Sequence, residues 1–138
     1  MPKLPMPSST PPRVLVVDDE ENYARVTAMG LELEGFRVET AGDADTALTS
    51  LREERFDVVM LDLIMPETNG IELARIVHRR YPQTLVVLTS AYHLTEKQLV
   101  RADCGAIGFV PKPFDLAELA RFLWSKLDSP PRSSQMPS

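Results

Sequence analysis

Residues 13–19 read Arg13-Val14-Leu15-Val16-Val17-Asp18-Asp19, a short unbroken run of β-branched and aliphatic side chains that ends on two adjacent carboxylates. An apolar run of this length with no polar alternation is the pattern of a strand covered on both faces, as strands in a parallel sheet are. Four similar runs follow at regular intervals, over residues 36–41, 57–61, 85–89 and 106–110.

The segments between them repeat at helical spacing. Gly70, Leu73, Ala74, Val77 and Tyr81 fall on one stripe, which Pro82 ends because proline cannot continue a helix interior. Leu116, Leu119, Ala120, Leu123 and Leu127 form the clearest stripe, opened by the capping pair Asp115 and Glu118. Thr95 and Gln98 predict a capping box at the start of the helix before it. Five strands alternating with helices predict an α/β fold: a doubly wound, five-stranded parallel sheet with right-handed crossovers and five helices on its two faces.

The chain has 138 residues, enough for one domain with an apolar core. Its 12 prolines fall into two groups. Pro2, Pro5, Pro7, Pro11 and Pro12 crowd the beginning and Pro130, Pro131 and Pro137 the end, in stretches too poor in apolar residues to offset their ordering entropy. Residues 1–12 and 128–138 are therefore expected to be disordered tails, the second a candidate linker stub, around a folded unit at 13–127. Pro66, Pro82, Pro111 and Pro113 lie inside that unit.

Composition excludes several classes of function. No apolar run approaches the roughly 20 residues of a membrane span, and no secretory signal opens the chain, so a cytoplasmic protein is expected. One cysteine, Cys104, allows no internal disulfide, and with only His78 and His93 beside it a Cys/His zinc site is disfavoured. Net charge is −5, with 13 acids against 6 bases in residues 1–62 and 7 against 9 thereafter. An acidic front half without a basic stripe argues against direct nucleic-acid binding.

In open α/β sheets ligands bind beyond the carboxyl ends of the strands. There the sequence places Asp18 and Asp19 after the first strand, Asp62 after the third, Ser90 after the fourth and Lys112 after the fifth. Glu20 and Glu21 are accounted for by the start of a helix, whose dipole favours acidic residues. Three carboxylates gathered at one edge repel one another and call for a cation. Mg²⁺, which takes carboxylate, water and phosphate oxygens, suits them. Carboxylates, a metal, a lysine and a hydroxyl together form a device for phosphoryl transfer, in which an aspartate can be the nucleophile.

These motifs, in this order and spacing, resemble the response-regulator receiver domains of two-component signalling, the CheY-like family. The resemblance rests on Val17-Asp18-Asp19-Glu20, on Leu61-Asp62-Leu63-Ile64-Met65-Pro66 followed by Gly70, on Ser90-Ala91, and on Gly105-Ala106 leading to Phe109-Val110-Pro111-Lys112-Pro113-Phe114. It implies a flavodoxin-like sheet of order 2-1-3-4-5, whose last strand is an edge that tolerates Pro111.

The resemblance also implies roles. Asp62 would be the phosphoacceptor, taking a phosphoryl group from a sensor histidine kinase or phosphotransfer protein. Asp19, Asp62 and the Ile64 backbone carbonyl would ligate Mg²⁺, with Asp18 acting mostly through a metal-bound water. Lys112 and Ser90 would engage the phosphoryl oxygens, joined by the backbone amides of Ile64 and Ala91. Phe109 would be the aromatic switch residue, biased inward because it lacks a phenol. The Lys112-Pro113 bond would be cis. Such a protein modifies only itself and is not otherwise an enzyme.

Output would pass through the face made by the fourth helix, fifth strand and fifth helix, to a downstream protein or a homodimer partner. Arg101 and Trp124 are candidates for that face, and partial core burial is an equal alternative for Trp124. Ile64 and Tyr92, flanking the path of an attacking water with no amide or carboxylate, imply slow self-dephosphorylation. The alternatives are a receiver cut from a longer transcriptional regulator or hybrid kinase and, further off, a small Mg²⁺-dependent aspartyl phosphohydrolase. The hydrolase lacks its second acid-base aspartate here, because Leu63 and Ile64 follow Asp62. His78 and His93 are expected at the surface, and Cys104 in a structural role.

Overall fold

The computed structural model describes residues 10–128; most of the two tails expected from sequence lie outside them. Along the chain run β1 (Arg13–Val17), α1 (Glu21–Leu33), β2 (Arg37–Ala41), α2 (Ala44–Glu53), β3 (Val58–Asp62), β4 (Ile64–Met65) and β5 (Thr68–Asn69). They are followed by α3 (Gly70–Arg80), β6 (Leu85–Ser90), α4 (Glu96–Ala102), β7 (Gly108–Pro111) and α5 (Leu116–Asp128). No described helix is long and apolar enough to cross a membrane.

Five strands form one sheet in the order β2-β1-β3-β6-β7, every neighbouring pair parallel. Counted within this sheet the order is 2-1-3-4-5, as the resemblance implied. The central strand β3 is buried along its whole length, which is why its sequence carries no polar alternation. Pro111 closes the edge strand β7, where its missing amide leaves no central ladder bond unmade.

Strand alternation sends side chains to two cores. Leu15, Val17, Val59, Leu61 and Leu88 meet Ala47 and Leu51 of α2 and Leu73, Ala74 and Val77 of α3. On the other face Val14, Val16, Met60 and Val87 meet Ala24 and Leu31 of α1 and Leu119, Ala120 and Leu123 of α5. The same alternation, carried to Asp62 at the end of β3 and to Asp18 one residue past β1, assigns both to the α1/α5 face.

The helix starts follow the chemistry read from sequence. Thr95 and Gln98 make the reciprocal capping box of α4, and Asp115 Oδ1 accepts from the Glu118 amide at 3.0 Å. Two caps were not anticipated: Asp43 Oδ1 accepts from Thr46 N at 2.7 Å and Asn69 Oδ1 from Glu72 N at 3.1 Å. The antiparallel ribbon β4–β5, turned by Pro66 and by Glu67 at φ 59°, was likewise not foreseen.

Gly70 fixes the position of this ribbon against α3. A Cβ there would lie 2.6 Å from Leu63 Cα and 2.7 Å from Leu63 O, both backbone atoms of the residue after Asp62. Backbone cannot rotate out of the way, so Gly70→Ala is expected to destabilise by about 1–3 kcal/mol, the usual range for overpacking. Chemical denaturation would show this as a lower midpoint with an unchanged slope.

Candidate phosphoacceptor site

The carboxyl ends of β1, β3, β6 and β7 bring Asp18, Asp62, Ser90 and Lys112 to one edge of the sheet. Parallel pairing sets their heights: Asp62 is in register with Thr89, Ser90 with Pro111, and the Lys112 amide extends the ladder by donating to Ser90 O at 2.9 Å. Asp18 is placed by its own amide, which donates to Ala41 O at 3.0 Å.

Asp18 and Asp62 are 3% and 5% exposed, so their charges need partners. Each oxygen has one. Asp18 Oδ1 accepts from Glu20 N at 2.9 Å and Asp62 Oδ1 from Ile64 N at 3.0 Å, so each carboxylate folds back on the amide two residues ahead. Their Oδ2 atoms both accept from Lys112 Nζ, at 2.8 Å each.

Asp18, Asp19 and Asp62 can bring one oxygen each within 4.8 Å of one another, and Asp19 is exposed to solvent. One ammonium against three carboxylates leaves two negative charges uncompensated. Oxygen-only donors with that residual charge fit a hard divalent cation such as Mg²⁺.

Burial is the largest influence on the Lys112 ammonium and lowers its pKa. Hydrogen bonds to Asp18 and Asp62, together with their charges, outweigh it, and the net shift is upward. A raised lysine pKa contributes stability that is complete below the unfolded-state value, about 10.4, and is lost as pH rises through the folded value. The stability difference between wild type and Lys112→Met, measured by denaturation, is therefore expected to be constant from neutrality to pH ~10 and to shrink above it.

Ser90 is 1% exposed, and its Oγ accepts from the Tyr92 amide at 3.0 Å. A hydroxyl used as an acceptor in this way still carries a proton to donate. Ala91 follows it at the exposed mouth, where Ile64 is 57% and Tyr92 71% exposed.

Phe109 is half-buried against the α2/α3-side core, and the ring of His93 meets it edge-on, centroids 6.4 Å apart. His93 is thus an exposed residue that touches the candidate switch aromatic. His78 is exposed too, yet its ring closes over Gly105, whose φ of +84° suits glycine. Cys104 is buried in the core beside it.

Trp124 is partly buried, its ring tilted at 35° against Phe36 with centroids 4.8 Å apart, and its indole N–H donates to Glu34 O at 3.0 Å. It ties α5 to the end of α1, the packing alternative for this residue. Lys112-Pro113 is cis.

Sequence reasoning passed over Tyr23, in the first turn of α1. Its ring lies under the Lys112 ammonium, 4.5 Å from Nζ to the centroid, and meets Phe114 edge-on at 5.5 Å. The available signal was the placement of that turn directly after Asp18 and Asp19.

Comparison with known proteins agrees with this geometry. Over 107 residues the chain is 38% identical to the regulatory protein AtoC of Escherichia coli, covering 78% of this chain and 23% of AtoC. It is 35% identical over 109 residues to the probable transcriptional regulatory protein TcrX of Mycobacterium tuberculosis, covering 79% of this chain and 47% of TcrX. The chain thus spans half or less of the length of these curated relatives.

Among solved structures, a CheY-like receiver domain protein from Methanospirillum hungatei superposes with a TM-score of 0.79 at 28% identity, over 86% of this chain and 95% of that one. The response regulator TrrA of Thermotoga maritima, solved in complex with Mg(2+)-BeF, gives 0.74 at 30% identity, over 83% and 97%. The model of the response regulator receiver domain matches residues 14–123. The sheet order, the carboxylate cluster and these matches together place the chain in the response regulator receiver domain family.

Proposed function

We propose that the protein takes a phosphoryl group onto Asp62 from the phosphohistidine of a sensor kinase or phosphotransfer protein, and that the modification alters a surface used to bind other proteins. The observation that carries this reading is Lys112 Nζ, 2.8 Å from both Asp18 and Asp62 at the carboxyl edge of a receiver sheet. The fold gives the carboxylate a fixed positive charge where phosphoryl oxygens would arrive.

In the reaction an Asp62 oxygen attacks phosphorus, the phosphorus–nitrogen bond to the imidazole breaks, and histidine leaves with the electron pair and takes up a proton. The product is an acyl phosphate. Asp18, Asp19, Asp62 and the Ile64 carbonyl would hold Mg²⁺, which when bound neutralises charge on the transferring group. Lys112 turns its ammonium to the phosphoryl oxygens, Ser90 donates its free hydroxyl proton, and the amides of Ile64 and Ala91 complete the cradle.

Withdrawal of Ser90 toward the phosphoryl group would free space for Phe109. That residue lines a groove of about 410 Å³ along β7 and α5, with Val110, Pro113, Phe114 and Phe122. Beside it α4 has no fully buried residue and exposes Val100 and Arg101. This face would carry the output, to a partner protein, a second copy or another part of a longer regulator. The reaction is confined to the protein's own phosphorylation and dephosphorylation, in a cytoplasmic setting.

Incubation with acetyl phosphate tests the assignment. With Mg²⁺ the intact mass should rise by one phosphoryl group, and chelation should abolish the gain; no adduct under either condition overturns the reading. With Ile64 and Tyr92 offering no carboxylate or amide to orient a water, the adduct is expected to last minutes or longer after the donor is removed. Decay within seconds would show that the mouth does not restrain hydrolysis.

A further inference from the structure

We propose that Tyr23 is a positioning residue for Lys112, holding the ammonium at the phosphoacceptor through its aromatic face; this deepens the phosphoacceptor reading and rests on it. An ammonium has three N–H bonds to place. Two go to Asp18 Oδ2 and Asp62 Oδ2 at 2.8 Å each. The Tyr23 ring, with its centroid 4.5 Å from Nζ, supplies a further wall, well within the roughly 6 Å reach of a cation–π contact.

The ring is itself braced. Phe114, two residues beyond Lys112, meets it nearly perpendicularly, with centroids 5.5 Å apart and an interplanar angle of 88°. Tyr23 stands in the first turn of α1, directly after the loop that carries Asp18 and Asp19. One aromatic pair therefore clasps the two segments that frame the site, the β1–α1 connection and the β7–α5 connection. The Lys112 side chain is 12% exposed, so little water competes for its charge and the ring contact is correspondingly strong.

A flexible lysine that must meet a transferring phosphoryl group gains from confinement, because the rotamers it would lose in the transition state are already lost. The ring needs only its π-face for this. The phenol hydroxyl is dispensable, which separates the proposal from a role in hydrogen bonding.

The test compares wild type with Tyr23→Phe and Tyr23→Leu. With acetyl phosphate and Mg²⁺, Tyr23→Leu should be phosphorylated about tenfold more slowly and Tyr23→Phe within about twofold of wild type. Proton NMR tests the contact itself: the Lys112 ε-methylene resonances should be shifted upfield by the ring current in wild type and in Tyr23→Phe, the conservative variant whose rate is expected to be retained because it keeps the π-face.

Equal rates in Tyr23→Leu and wild type overturn the proposal and leave the phosphoacceptor reading standing. Failure of wild type to take up phosphoryl overturns the phosphoacceptor reading instead. Should Tyr23→Leu not fold, the wild-type spectrum still decides, since Lys112 resonances without an upfield shift would exclude the contact.

Discussion

Asp62→Asn should lose phosphoryl uptake from acetyl phosphate by more than about a thousandfold, with no mass gain at times when wild type is fully modified. The substitution is close to isosteric. Its amide oxygen can still accept from the Ile64 N–H that Asp62 Oδ1 now holds at 3.0 Å. What it lacks is the anionic oxygen that would attack phosphorus. Lys112 keeps its other partner, Asp18, at 2.8 Å, so the remaining ion pair is still balanced and the variant should fold. Normal far-UV dichroism and a cooperative melt would separate chemical loss from unfolding. An adduct that persists in Asp62→Asn would mean that another group accepts the phosphoryl, and the assignment would fall.

The sequence shows those parts of the molecule whose cause is local. A buried parallel strand must be apolar on both faces, so Val14–Val17 and the strand preceding Asp62 announce themselves without any partner being known. Helix starts written in side-chain chemistry, such as Thr95 with Gln98, are equally plain. Strand ends are less so: the runs at 36–41 and 106–110 correspond to Arg37–Ala41 and Gly108–Pro111, because apolar residues also flank a strand where the chain enters the core. The ribbon Ile64–Met65 with Thr68–Asn69 is too short to have a period, and its turn places Glu67 in the left-handed region where glycine or asparagine would have signalled it.

The candidate site divides in the same way. Asp18, Asp19, Asp62, Ser90 and Lys112 stand at strand ends, so once the strands are found, the topology gathers them. Tyr23 has no such marker. An aromatic residue on the inner side of a helix reads as core, and its contact with Lys112 joins positions 89 apart in a chain whose register is set by the sheet. Trp124 was equally ambiguous in sequence, and only the position of Phe36 and the free carbonyl of Glu34 at the end of α1 decide that it packs inward. Long-range aromatic contacts depend on how two helices meet, which no local pattern records.

Lys112→Met should destabilise the protein by about 3 kcal/mol at neutral pH, at the low end for removing one partner of a buried ion pair because the site is open on the side of Asp19. Methionine keeps most of the side chain's apolar length, so packing against Tyr23 is largely retained and the deficit is electrostatic. Asp18 and Asp62, 3% and 5% exposed, would face each other with only backbone amides for company. A loss of this size lowers the melting midpoint by on the order of 10 °C in a domain of this length. Mg²⁺ should then stabilise the variant more than wild type, since in wild type the lysine competes for the same carboxylate oxygens. At a hundredfold excess over the dissociation constant, binding to the folded state alone restores about 2.7 kcal/mol, enough to offset most of the deficit. Phosphoryl uptake should not recover with it, because the metal would replace the charge that holds the carboxylates together and leave unfilled the place of the ammonium that would meet the phosphoryl oxygens. Thermal melts across a Mg²⁺ titration, run beside the mass assay, distinguish the two roles. A variant as stable as wild type without metal would show that Lys112 is dispensable for holding the carboxylates, and recovered phosphorylation would show that its charge is not specifically needed.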